Sequence, residues 1–107
     1  MRKIEQEMLN AIREGKHWTK DNTMVEINTR VGEDRKNYMV VLHGNPIATG
    51  YVGETPSQVA FCGWVTHTTL SRLRALGVNV YTKNWEPYVD GKKVSEHGWI
   101  NVEPKSI

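Results

Sequence analysis

Thr23-Met24-Val25-Glu26-Ile27-Asn28-Thr29, followed after a polar break by Tyr38-Met39-Val40-Val41-Leu42, decides the fold. In the first run Val25, Ile27 and Thr29 alternate with Met24, Glu26 and Asn28. That period of two places the two sets on opposite faces of a strand. Gly32-Glu33-Asp34-Arg35-Lys36-Asn37 reads as the turn between the runs. Gly44-Asn45-Pro46 makes a tight connection from Tyr38–Leu42 to a third strand over Ile47–Val52. Gly53-Glu54-Thr55-Pro56-Ser57 then leads to a fourth over Val59–Trp64. Short strands joined by short turns specify an antiparallel meander.

On either side of the meander the period lengthens to that of a helix. Ile4, Met8, Ala11 and Ile12, with Leu9 at the edge, make one apolar stripe over Arg2–Glu14, and Gly15 is a natural C-terminal stop. Glu5, Glu7, Asn10 and Arg13 fall to the solvent face in this reading. Leu70, Leu73 and Leu76, helped by Ala75, form a second stripe, with Thr68 or Thr69 as its cap and Gly77 as its end. Val78–Thr82 is expected as a strand. Asp90-Gly91, between Tyr88-Val89 and Lys92-Lys93-Val94, is a strong hairpin signal. Trp99–Val102 adds a last short strand, and Glu103–Ile107 is expected to be loose. The expected fold class is α+β: an N-terminal helix, an antiparallel β-meander, a second helix packed on the sheet and a C-terminal β-hairpin, in one domain over 1–107.

Composition narrows the function classes. With 107 residues, 38% hydrophobic and 24% charged, the chain has ordinary globular content and room for one modest core. No apolar run approaches the roughly 18 residues of a membrane span. Cys62 stands alone, so no intrachain disulfide is available. Charges interrupt the N-terminal stretch where a secretion signal needs an apolar run. The net charge is only +2, and the basic clusters are short: Arg35-Lys36, Arg72 with Arg74, and Lys92-Lys93. Nucleic-acid binding therefore ranks below other uses.

The most informative segment for chemistry is Gly63-Trp64-Val65-Thr66-His67-Thr68-Thr69-Leu70-Ser71-Arg72, which runs from a strand into a helix N-terminus. Free N–H groups and the positive end of the helix dipole gather there. In the ligand reading, Thr66, Thr68 and Thr69 offer hydroxyls, Arg72 grips phosphate and Trp64 stacks a base. His43 and Asn45 line the same end of the sheet. In the structural reading the threonines only cap the helix, Trp64 is core and Arg72 pairs with a surface carboxylate. Four Trp and four Tyr against one Phe favour polar-tipped rings of the kind used at interfaces, although a small core also uses Trp. Trp85-Glu86-Pro87-Tyr88 reads as an exposed aromatic edge, with Trp85 and Tyr88 as candidate partner-binding residues. His17, His43, His67 and His97 show no metal-ligand spacing, and Cys62 with His67 is a weak nucleophile–base pair. No catalytic residue, metal or cofactor is expected.

Several runs carry a resemblance: Ile4-Glu5-Gln6 with Met8; Trp18 with Asn22-Thr23 and Val25; Val41-Leu42-His43-Gly44-Asn45 with Ile47-Ala48; and Gly63-Trp64 through Thr66, Thr68-Thr69, Ser71-Arg72-Leu73 and Ala75-Leu76. Over Ile4 to Asn84 the chain resembles short accessory proteins of tailed bacteriophages. The resemblance supplies no functional residues. It implies the cytoplasm of an infected bacterium and a counter-defence or host-takeover role. The expected function is non-enzymatic binding and sequestration of a host target, most specifically a nucleotide-type immune signal. Pairing of copies into a homo-oligomer would deepen the pocket. The alternatives are inhibition of a host protein through the Trp/Tyr surface, and nucleic-acid binding.

Overall fold

The computed structural model describes residues 1–29 and 31–107. Helix α1 (Lys3–Glu14) leads into β1 (Trp18–Lys20), β2 (Thr23–Thr29), β3 (Lys36–Leu42), β4 (Asn45–Tyr51) and β5 (Gln58–Ala60). Helix α2 (His67–Ala75), β6 (Val80–Lys83), β7 (Glu86–Val89), β8 (Lys92–Lys93) and β9 (Trp99–Asn101) follow. The strands form a six-stranded sheet, ordered β1-β2-β3-β4-β5-β9, and a three-stranded sheet, β6-β7-β8, with every pairing antiparallel. The expected α+β class and its order of elements are present.

Register explains the core. Val25 pairs with Val40, Val40 with Ala48, Ala48 with Val59 and Val59 with Ile100, so one row of small and β-branched side chains crosses five strands on one face. The first four are fully buried, among Met8 and Ile12 of α1 and Leu70 and Leu73 of α2. Covering that face removes the apolar surface of both helices and the sheet from water together. A bulge opposite Val40 and Val41 lets Ile47 and Ala48 both enter the core in succession. Val80 and Val89 carry the second sheet into the same cluster.

Turn chemistry sets the hairpins. His43 (φ 51°) with Gly44 (φ 78°), and Asp90 (φ 52°) with Gly91 (φ 81°), are two-residue loops of the twist-matched type that needs two left-handed residues. Asn84 (φ 52°) and Trp85 (φ 68°) do the same between β6 and β7, with a bulky ring where glycine would be unstrained.

Five expectations are corrected. A short strand, β1, precedes the first expected one. The fourth strand stops at Ala60 rather than Trp64, because Cys62 (φ 55°) and Gly63 (φ 77°) are left-handed and end the extended run. Thr66, not Thr68 or Thr69, caps α2, its Oγ1 accepting from the Thr69 N–H at 3.1 Å. The tail is not loose: the Thr55 N–H donates to Lys105 O at 2.7 Å and the Ile107 N–H to Gly53 O at 3.0 Å.

The fifth correction concerns Glu5, which is buried rather than solvated, at 4% exposure. Its Oε2 accepts from Arg72 Nη1 at 2.8 Å and from the Ser71 hydroxyl at 2.6 Å. Arg72, also 4% exposed, donates through Nε to Thr23 Oγ1 at 3.1 Å. Among the described residues no helix is long and apolar enough to cross a membrane.

Removing one member of such a pair strands the other charge in the core. Glu5→Ala is expected to lower stability by about 3–5 kcal/mol in urea unfolding. The Glu5→Leu, Arg72→Met double variant is expected to lose much less than the two single variants summed.

Candidate functional site

The two-residue turn after β3, the left-handed bend after β5 and the first turn of α2 meet at one end of the large sheet. They enclose a cleft of about 140 Å³ lined by Leu42, His43, Asn45, Ile47, Phe61, Cys62, Trp64, Thr66, Thr68 and Thr69. Leu42, Ile47 and Phe61 give it an apolar floor contributed by the core. Its rim is polar, and no lining residue carries a carboxylate.

Six of the nominated ligand residues therefore converge: His43, Asn45, Trp64, Thr66, Thr68 and Thr69. Arg72 does not join them. Its guanidinium faces the Glu5 carboxylate, Thr23 and Asn22 in the interior, so it is not placed to grip phosphate in the cleft. The reading that Arg72 pairs with a carboxylate holds, but the partner is a buried residue of α1 rather than a surface one. Trp64 is not core: it is 70% exposed beside the cleft.

At the start of α2 the hydroxyls of Thr66 and Thr69 lie 3.0 Å apart, and Thr66 also binds the Thr69 N–H. These two threonines serve the helix cap. The Leu70 N–H closes the first helical bond to Thr66 O, which leaves the N–H groups of His67 and Thr68 at the helix start. Thr68, with its hydroxyl and N–H, lines the cleft on this side, whereas His67 does not.

Cys62 directs its thiol to Pro46 O at 3.0 Å. A carbonyl is thus the partner of its S–H, in place of the His67 base considered from sequence. Burial pushes the Cys62 thiol above its ordinary pKa, which makes it a poorer thiolate. Among the described residues no group of three or more His, Cys, Asp or Glu side chains is placed to hold a metal ion.

The nominated partner-binding pair divides. Trp85 sits at the tip of the β6–β7 hairpin, 99% exposed. Tyr88 is half-buried and stacks on Tyr81, with ring centroids 5.3 Å apart and planes 5° from parallel. A groove of about 410 Å³ runs from Trp85 past Pro87 and Lys93 to Ser95 and His97. A further shallow groove, about 480 Å³, lies against Trp18, His17, Met24 and Asn28. Sequence reasoning missed it, because it is built around the unexpected β1.

A compact α+β fold with an uncharged, donor-rimmed cleft defines a class by architecture alone. Comparison supplies the lineage: the chain belongs to a family of phage proteins. That family is described as Kyanoviridae Gp96 protein, and its model matches residues 1–105, more than the stretch over which the resemblance was read. No curated protein and no solved structure matches the chain.

The Cys62 environment has a measurable consequence. Its alkylation by iodoacetamide at mildly alkaline pH is expected to be slower than that of free cysteine. The rate is expected to keep rising at pH values where the free thiol has levelled off.

Proposed function

We propose that this phage protein acts without catalysis, by binding and sequestering a host target in the infected cell's cytoplasm. The target class that suits the cleft is a nucleotide-type signal. The observation that carries this reading is the convergence of six residues from three separate segments on one cleft that has donors, an apolar floor and no carboxylate. Donors without acidic neighbours favour phosphate or carbonyl oxygens over cations. Trp64 offers a ring face for a base, while the hydroxyl and N–H of Thr68 suit phosphate oxygens. His43 and Asn45 close the opposite rim.

Size bears on the assembly. At about 140 Å³ the cleft is well below the roughly 300 Å³ at which pockets begin to enclose a drug-sized ligand. It suits one base or one phosphate group, and the remainder of a signal molecule would lie against a second surface. A second copy of the chain is the simplest source of that surface.

One observation favours a second reading, inhibition of a host protein through the Trp85 edge. Trp85 is 99% exposed and holds a left-handed backbone at φ 68°. Strain of that sort is retained where a side chain has to be presented. Nucleic-acid binding has less support, since Arg35 is paired with Glu54 at 3.0 Å and Lys93 with Glu86 at 2.9 Å.

Calorimetry with cyclic di- and trinucleotides and ADP-ribose-type molecules is expected to give micromolar binding by at least one, lost in Trp64→Ala. Silence from all of them would end the nucleotide reading. A stoichiometric host protein retained from lysate by the wild type and lost by Trp85→Ala would instead establish the second.

A further inference from the structure

The polar interior does not end at the ion pair. Arg72 Nε donates to Thr23 Oγ1 at 3.1 Å, which uses a lone pair of that hydroxyl. The Thr23 proton then goes to Asn22 Oδ1, 2.8 Å away. Arg72 Nη2 points at the same Oδ1 from 3.5 Å. Arg72 Nη2 can only donate, and the Thr23 hydroxyl still has its proton to give, so this side of the Asn22 amide is its carbonyl oxygen. Reversing the amide would set its NH2 against the Arg72 guanidinium, two donors with no acceptor between them. The Asn22 Nδ2 is left directed at His43 Nε2, 3.3 Å away, and the His43 N–H donates to Asn22 O at 2.8 Å.

An amide NH2 only donates, so His43 Nε2 has to accept. We infer that the buried Glu5–Arg72 pair, acting through Thr23 and Asn22, holds His43 as its neutral Nδ1–H tautomer, so that the ring nitrogen left for the cleft is a donor. Each step follows from the one before. Glu5 fixes the guanidinium, the guanidinium orients the Thr23 hydroxyl, and the hydroxyl orients Asn22. Asn22 and Thr23 are positioning residues: they sit behind the rim and set the polarity of a group that lines it. The ligand chemistry that follows is a phosphate or carbonyl oxygen at the His43 position, where an ammonium or hydroxyl proton would meet another proton. This use of the donor rests on the binding function proposed for the cleft; the tautomer does not.

Long-range proton–nitrogen NMR of the imidazole ring tests the inference on the full chain. In the wild type near neutral pH, His43 is expected to show a protonated Nδ1 and a bare, pyridine-type Nε2. In Asn22→Asp the amide donor becomes a carboxylate acceptor, and the proton is expected to move to Nε2. In Asn22→Ala the bias is removed, and the two tautomers are expected to mix. The amide spectrum of each variant shows whether it has kept the fold. A proton on Nε2 in the wild type, or one unchanged tautomer across all three folded proteins, would overturn the relay. Titration with inorganic phosphate separates the two levels: the donor role in the cleft predicts a shift of His43 Nδ1 on binding. If the tautomer stands and phosphate leaves the ring unmoved, the donor role in the cleft fails while the relay survives.

Discussion

One carboxylate and one guanidinium, brought together from two helices far apart in sequence, hold the helices over the sheet. Glu5 lies on α1 and Arg72 on α2, and each is 4% exposed. Burying two charges is unfavourable unless their mutual attraction is joined by further hydrogen bonds. Here Ser71 adds a bond to the carboxylate and Thr23 one to the guanidinium. The pair thus ties three elements, α1, α2 and β2, at a single point. Apolar packing alone would allow the helices to slide on a smooth valine-rich face. A directional, buried pair admits one arrangement, and a helix shift of even one residue would break it.

Much of the fold was legible because the physics that shapes it is local. Alternation over Thr23–Thr29 marks a strand wherever one face is buried, and Asp90-Gly91 meets the two left-handed positions of its turn. What was not legible was non-local or lay between two signals. Glu5 shows this well. It stands three, four and seven residues before Met8, Leu9 and Ile12, so it shares their helical stripe. Reading by hydrophobicity assigned it to solvent, because only a cation sixty-seven positions away made burial possible. The three residues of β1 are too few to show a period. The tail looked loose because its partners, Gly53 to Thr55, lie in a turn that no sequence pattern joins to it.

The cleft shows the same division. Trp64 and the threonines could be named from their place between a strand and a helix, and His43 and Asn45 from a turn. Their convergence depends on the left-handed Cys62-Gly63 bend, which turns the chain back over the β3–β4 loop. Arg72 was misplaced for a physical reason. An arginine within a short helix can reach back toward the helix N-terminus, but here the buried Glu5 carboxylate, with Ser71 and Thr23 completing the hydrogen bonds, holds it in the interior.

The position of β9 has a kinetic side. Its pairing with β5 joins residue 59 to residue 100, across α2 and the whole of the second sheet. Contacts so distant in sequence form late, because the intervening chain has to be ordered before its ends can meet. Until then β5 is the bare margin of a five-stranded sheet, with Val59 and Ala60 beside unsatisfied backbone groups. The three residues of β9 thus cover the β5 margin, a strand edge that a foreign strand could otherwise pair with.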